Sequence, residues 1–208
     1  MDVGGETVSA ARLVLAQGAW SGAVLRDLGV DLRVHRNALV WLDAPAAHRR
    51  ERGAPCFGFD LPATADFAGG FFYGFPALDA FGVKAALHLP GDPVADPDHV
   101  ERATTARDTD PVVAFASRCL PGVGPRVTRV ATCLYEMTPD EHFVVQVHPR
   151  WPQVALAGGF SGHGFKFAPV IGEVLADLAI EGRSLLPVDF LDAGRLGAPG
   201  VAGALSMD

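Results

Sequence analysis

Lysine is nearly missing from this chain. Lys84 and Lys166 stand against 15 arginines in 208 residues. Arginine serves wherever a surface cation is wanted, so the two lysines are marked for work a guanidinium cannot do. A compact ammonium changes its pKa on burial, whereas a guanidinium stays charged. The alternative is chance. Cysteine is also scarce: Cys56, Cys119 and Cys133 are odd in number and far apart. They form no C-x-x-C pair, which leaves no disulfide framework and no zinc knuckle and suits a reducing cytoplasm. No apolar run reaches the roughly 18 residues of a membrane span. The start carries neither region of a signal peptide. The formal charge of −7, without clustered cations, argues against a nucleic-acid partner. There is no G-x-G-x-x-G near the N-terminus and no acid at ribose-binding distance after it, so a Rossmann βαβ unit is not expected here.

What remains is a chain with 49% hydrophobic residues, enough for a sizeable core. It opens as strand, Gly4-Gly5 turn and strand, then the apolar run 13–16. Ser21 is placed to cap a short helix over 22–28. Strands are expected at 34–42, 56–61, 71–75, 83–89, 127–135, 143–147 and 154–157. Helices are expected at 98–106, at 111–119 and from about 165 to 180, the last closed by Gly182. The final twenty or so residues are weakly patterned. Strands bounded by turns, with few helices, give an α+β class on a mixed, largely antiparallel sheet.

Three places carry chemistry. Gly158-Gly159-Phe160-Ser161-Gly162-His163-Gly164-Phe165-Lys166-Phe167 puts four glycines before a helix. Such backbone can approach a flat or anionic ligand, and the helix start offers free N–H groups; a packing turn reads equally well. Lys84 and His88 lie four apart on one strand, hence on one face. Near a redox cofactor a Lys could polarise dioxygen and a His could orient a carboxylate; the plainer reading is a snorkelling Lys and a surface His. Cys133, on an apolar strand, reads first as a small buried hydrophobe.

Four segments together resemble one family. Residues 133–143 (Cys-Leu-Tyr-Glu-Met-Thr-Pro-Asp-Glu-His-Phe) are similar to the covalent-flavin segment of monomeric sarcosine oxidases and N-methyl-tryptophan oxidases. Residues 159–167 resemble their flavin-proximal loop nearly letter for letter. Residues 72–76 followed by Gly82-Val83-Lys84 and His88 keep the family's order, and Gly18-Ala19-Trp20-Ser21 resembles the strand end that closes the flavin domain. The resemblance runs from about 3 to 189. It implies FAD linked through Cys133, with Gly159, Gly162, His163, Gly164 and Lys166 against the cofactor. Lys84 would activate dioxygen, Lys166 would hold the substrate carboxylate, and Tyr73, His88, Tyr135 and His163 would line the pocket. The implied partners are a small secondary-amine amino acid and dioxygen, and an N-terminal FAD-binding half expected upstream. The implied divisions are 1–34 (remainder of a flavin domain), 35–127 (substrate domain), 128–190 (flavin-proximal segment) and a tail over 191–208. The alternatives are a non-catalytic remnant or a cofactor-free binding module. Glu136 departs from the family, where a small polar residue is usual; so does His35-Arg36-Asn37.

Overall fold

A computed structural model describes residues 2–197 of the chain. They form two compact units: His35–Tyr135, and the segments 2–34 and 136–197 that flank it. In chain order the elements are β1 (Asp2–Val3), β2 (Glu6–Thr7), β3 (Leu13–Leu15), α1 (Gly22–Asp27), β4 (Arg33–Leu42), β5 (Phe57–Leu61), β6 (Gly70–Phe75), β7 (Val83–Leu87), β8 (Asp92–Val94), α2 (Ala106–Cys119), β9 (Val127–Met137), β10 (Val144–His148), β11 (Trp151–Gly158) and α3 (Ala168–Glu181). The mixed α+β class with mostly antiparallel pairing is as expected. Among the described residues no helix is long and apolar enough to cross a membrane.

The unit 35–135 is built on a sheet ordered β5-β6-β7-β4-β8, with β9 also paired to β4. Phe59 lies opposite Phe72, Tyr73 opposite Ala86, Phe75 opposite Lys84, and Lys84 opposite Trp41. Alternation then assigns the faces. Phe72, Val83, Ala85, Val40 and Leu42 point to one side and pack with Val112, Phe115 and Ala116 of α2. Phe115 is fully buried and stacks on Phe72 with ring centroids 4.5 Å apart. The opposite face keeps Trp41, Tyr73, Phe75 and Lys84. β7 ends one residue before His88, yet the His88 N–H still donates to Phe71 O at 2.7 Å, so the alternation carries through.

In the other unit, β10-β11-β3 form a three-stranded sheet in which β11 and β3 run parallel. Val145, Ala155 and Ala157 pack on Ile171, Val174, Leu175 and Leu178 of α3. Val144 and Leu156 pack on Leu25 and Val30 on the other side. With both faces covered, Val154–Ala157 reads as an unbroken apolar run.

Three local expectations are corrected. Residues 98–105 are not helical: Asp96 accepts the Asp98 N–H at 2.9 Å and pairs with His99 at 2.7 Å, a local turn that competes with a helix. Instead one helix begins at Ala106, launched by a capping box between Thr105 and Asp108, and carries Pro111 inside it. Ser21 does not cap α1, because a 3-10 turn over Gly18–Trp20 leads straight in with Ser21 already helical. The last helix starts as a 3-10 turn at Phe165–Phe167 and becomes α-helical at Ala168; Gly182, at φ +74°, ends it as expected. Much of the expected tail, 198–208, lies outside the described residues; before it, Asp189–Leu191 and Ala193–Leu196 form 3-10 turns.

Replacing Phe115 with Ala removes the ring that β5, β6 and α2 share. The expected cost is about 3–5 kcal/mol. Urea denaturation followed by fluorescence should show a lower midpoint at unchanged slope.

Candidate functional site

The face of the 35–135 sheet opposite α2 gathers five of the sequence-predicted residues. The Tyr73 and Tyr135 hydroxyls lie 3.4 Å apart, and His88 Nδ1 lies 3.3 Å from the Tyr135 hydroxyl. Tyr135 has one proton, so it can donate to only one of these two neighbours. Both distances are long for bonds to a phenol, leaving slack that a ligand could take up. Tyr135 is 5% exposed. Burial first, and the Tyr73 hydroxyl second, push its pKa well above the ordinary 10.0. Burial raises Tyr73 as well, partly offset by its bond to Tyr135. Both phenols are therefore neutral donors or acceptors over the working range of pH.

Lys84 sits beside them. Its Nζ lies 5.3 Å from the centre of the Trp41 ring and 5.4 Å from that of Phe75, its two cross-strand neighbours. Among the described residues no carboxylate pairs with it. Aromatic faces attract an ammonium without neutralising it. Arg129 shares the Trp41 ring from 4.9 Å and also lies over Phe81. Cys133, on β9, is half-buried; burial raises its thiol above the ordinary 9.0, and the positive charge of Lys84 pulls it partly back.

The Gly-rich loop belongs to the other unit. Its backbone enters the left-handed region at Gly159 (φ +69°), Ser161 (+49°) and Gly162 (+78°). A Cβ at Gly159 would meet Thr138 Cγ2 at 2.3 Å, so only glycine fits there. Ser161, not a glycine, is held by its surroundings. It is 1% exposed, its N–H donates to Glu136 O at 3.0 Å, and its hydroxyl donates to Gly159 O at 3.2 Å. The Phe160 N–H donates to Glu136 Oε1 at 3.3 Å. The first half of the loop is thus engaged with Glu136. The Gly162 and Gly164 N–H groups have no acceptor among the described residues. His163 lies near Glu141 O at 3.3 Å and packs on Phe143, with ring centroids 5.0 Å apart. Lys166 is exposed, with Nζ 5.4 Å from the centre of the Phe167 ring. His163, Lys166, Phe143 and Phe167 edge an apolar cleft of about 420 Å³ in this unit.

Sequence reasoning missed Trp41, Phe75 and Arg129 around Lys84. The aromatic–lysine pairing needs strand register, which no local signal supplies. It also missed the Glu136 clamp, although the residue itself stood out.

Residues 2–178 match the family described as FAD dependent oxidoreductase. The chain is 37% identical over 197 residues to a monomeric sarcosine oxidase of Streptomyces avermitilis, covering 92% of this chain and 50% of that protein. It is 31% identical over 172 residues to an N-methyl-L-tryptophan oxidase of Salmonella enteritidis PT4, covering 82% of this chain and 44% of that one. The chain thus spans about half the length of these relatives. The fold is similar to that of NikD, an unusual amino acid oxidase essential for nikkomycin biosynthesis, with TM-score 0.68 and 23% identity, over 87% of this chain and 47% of that one.

Tyr73 and Tyr135 are the chain's two tyrosines. Alkaline titration followed by tyrosinate absorbance should therefore show less ionisation at pH 10.0 than free tyrosine gives. Because both folded values are raised, their contribution to stability is complete below 10.0 and is lost as pH rises through the folded values. Tyrosinate absorbance should rise at higher pH in the folded chain than in urea-unfolded chain.

Proposed function

The chain belongs to the FAD dependent oxidoreductase family, and on that premise we propose that it supplies the substrate side of an amine oxidase. The substrate is a secondary amine, sarcosine or another N-methyl or cyclic amino acid. It loses two electrons and two protons to become an imine, and dioxygen takes them up as hydrogen peroxide. Water then hydrolyses the imine. The observation that carries this reading is the sheet face on which Tyr73, Lys84, His88, Cys133 and Tyr135 converge. Relatives named for sarcosine and N-methyl-L-tryptophan support the substrate class.

The residues present fit a flavin nucleotide. The Gly162 and Gly164 N–H groups are unengaged among the described residues, the backbone of the loop is bare at its glycines, and Cys133 is a protected thiol beside a cation. Gly159, Gly162, His163, Gly164 and Lys166 would hold it, and Cys133 would link to it. When bound, FAD would accept the electrons from the amine and release them to dioxygen. Lys84 would present an uncompensated positive charge to oxygen as negative charge develops there. Tyr73 and Tyr135 would line the substrate pocket as neutral hydroxyls, with His88 orienting Tyr135. Lys166 and His163 would bind the substrate carboxylate. Residues 35–127 act as the substrate domain, 1–34 and 128–190 as the flavin side, in a cytoplasmic protein.

The test is the chain expressed with FAD supplied, with and without a co-expressed N-terminal FAD-binding half, then precipitated in acid. Flavin absorbance should stay with the pellet and vanish from it in Cys133→Ala. Lys84→Met should slow dioxygen consumption by the loaded protein by about a hundredfold or more. A protein without flavin under every condition would leave a remnant or a binding module in place of an oxidase.

A further inference from the structure

Glu136 is the one buried acid among the described residues, at 7% exposure. It is the acceptor for the first half of the Gly-rich loop. Its main-chain oxygen takes the Ser161 N–H at 3.0 Å, and its Oε1 takes the Phe160 N–H at 3.3 Å. The Gly159 N–H also acts on the carboxyl. Its Oε2 is buried with no hydrogen-bond partner among the described residues. No ionisable side chain pairs with it there; what packs on the carboxyl is the main chain of Gly159 and Phe160.

We propose that Glu136 is a positioning residue of the Gly-rich loop, its carboxyl held inside the turn, where it fixes the backbone path through Gly159, Phe160 and Ser161. This rests on the reading that the loop meets the flavin nucleotide. Burial of the carboxyl, with Oε2 unpartnered among the described residues, disfavours its charged form. A charged carboxylate would bury a negative charge with one oxygen unsolvated, which is costly. Burial is also what raises its pKa above the ordinary 4.5, against the N–H groups of Phe160 and Gly159 that lower it. The substitution Glu136→Gln would keep the shape and the Oε1 acceptor and carry no charge. The substitution Glu136→Ala would leave two N–H groups without an acceptor.

The experiment has two arms on the 208-residue chain. The first needs no cofactor: thermal unfolding across pH for wild type and Glu136→Gln. A raised folded pKa means its contribution to stability is complete below 4.5 and is lost as pH rises through the folded value. The wild-type Tm should therefore fall relative to Glu136→Gln above 4.5. Parallel curves would overturn the proposal. The second arm titrates FAD by flavin fluorescence. Glu136→Gln should match wild type within about twofold, and Glu136→Ala should bind roughly tenfold more weakly. Equal affinity in Glu136→Ala would overturn the proposal and spare the oxidase reading. Failure of wild type to bind FAD would sink both. If Glu136→Ala does not fold, weakened binding by Glu136→Gln overturns the proposal instead.

Discussion

A strand sends successive side chains to opposite faces, and the site on the 35–135 sheet depends on that constraint. Phe72, Val83, Ala85, Val40 and Leu42 must meet α2. Their neighbours Tyr73, Lys84 and Trp41 are then obliged to face the other way. A slip of one residue would bury Lys84 and expose Phe72. Each large apolar side chain buried in that core stabilises the register by about 1.5–3 kcal/mol. The packing on one face thus fixes the chemistry on the other.

That chemistry is mostly neutral. Burial favours the protonated form of both phenols and of the Cys133 thiol. Lys84 is the exception, and its setting is unusual for a lysine in a protein rich in acids. Trp41 and Phe75 hold the ammonium through ring faces, so its charge stays available to whatever approaches. A carboxylate partner would have spent it.

The Gly-rich loop solves a different problem. Its path needs left-handed backbone at Gly159, Ser161 and Gly162. For a serine that conformation costs on the order of 1 kcal/mol or more. The cost is offset by the bonds that Ser161 makes to Glu136, Gly159 and Thr138. The loop is therefore tied down at Phe160 and Ser161 by hydrogen bonds. It is open at Gly162 and Gly164, whose N–H groups meet no acceptor among the described residues.

Much of this was legible in one dimension. Strand periodicity and turn residues gave the α+β class, most strands and the helix ended by Gly182, because those signals are local. The scarcity of lysine singled out Lys84, and the resemblance of the segments around Cys133 and Gly162 named a cofactor. Helix boundaries around Asp96 and Thr105 were misread, since a side chain's choice between turn and cap is settled by its neighbours in space. What only the tertiary structure decided is pairing: that Lys84 lies between Trp41 and Phe75, that Tyr135 meets both Tyr73 and His88, and that Glu136 takes the N–H groups of the loop. Sequence determines which face a strand residue takes, through the two-residue period. It does not determine which strand lies alongside, because that follows from how the cores fill.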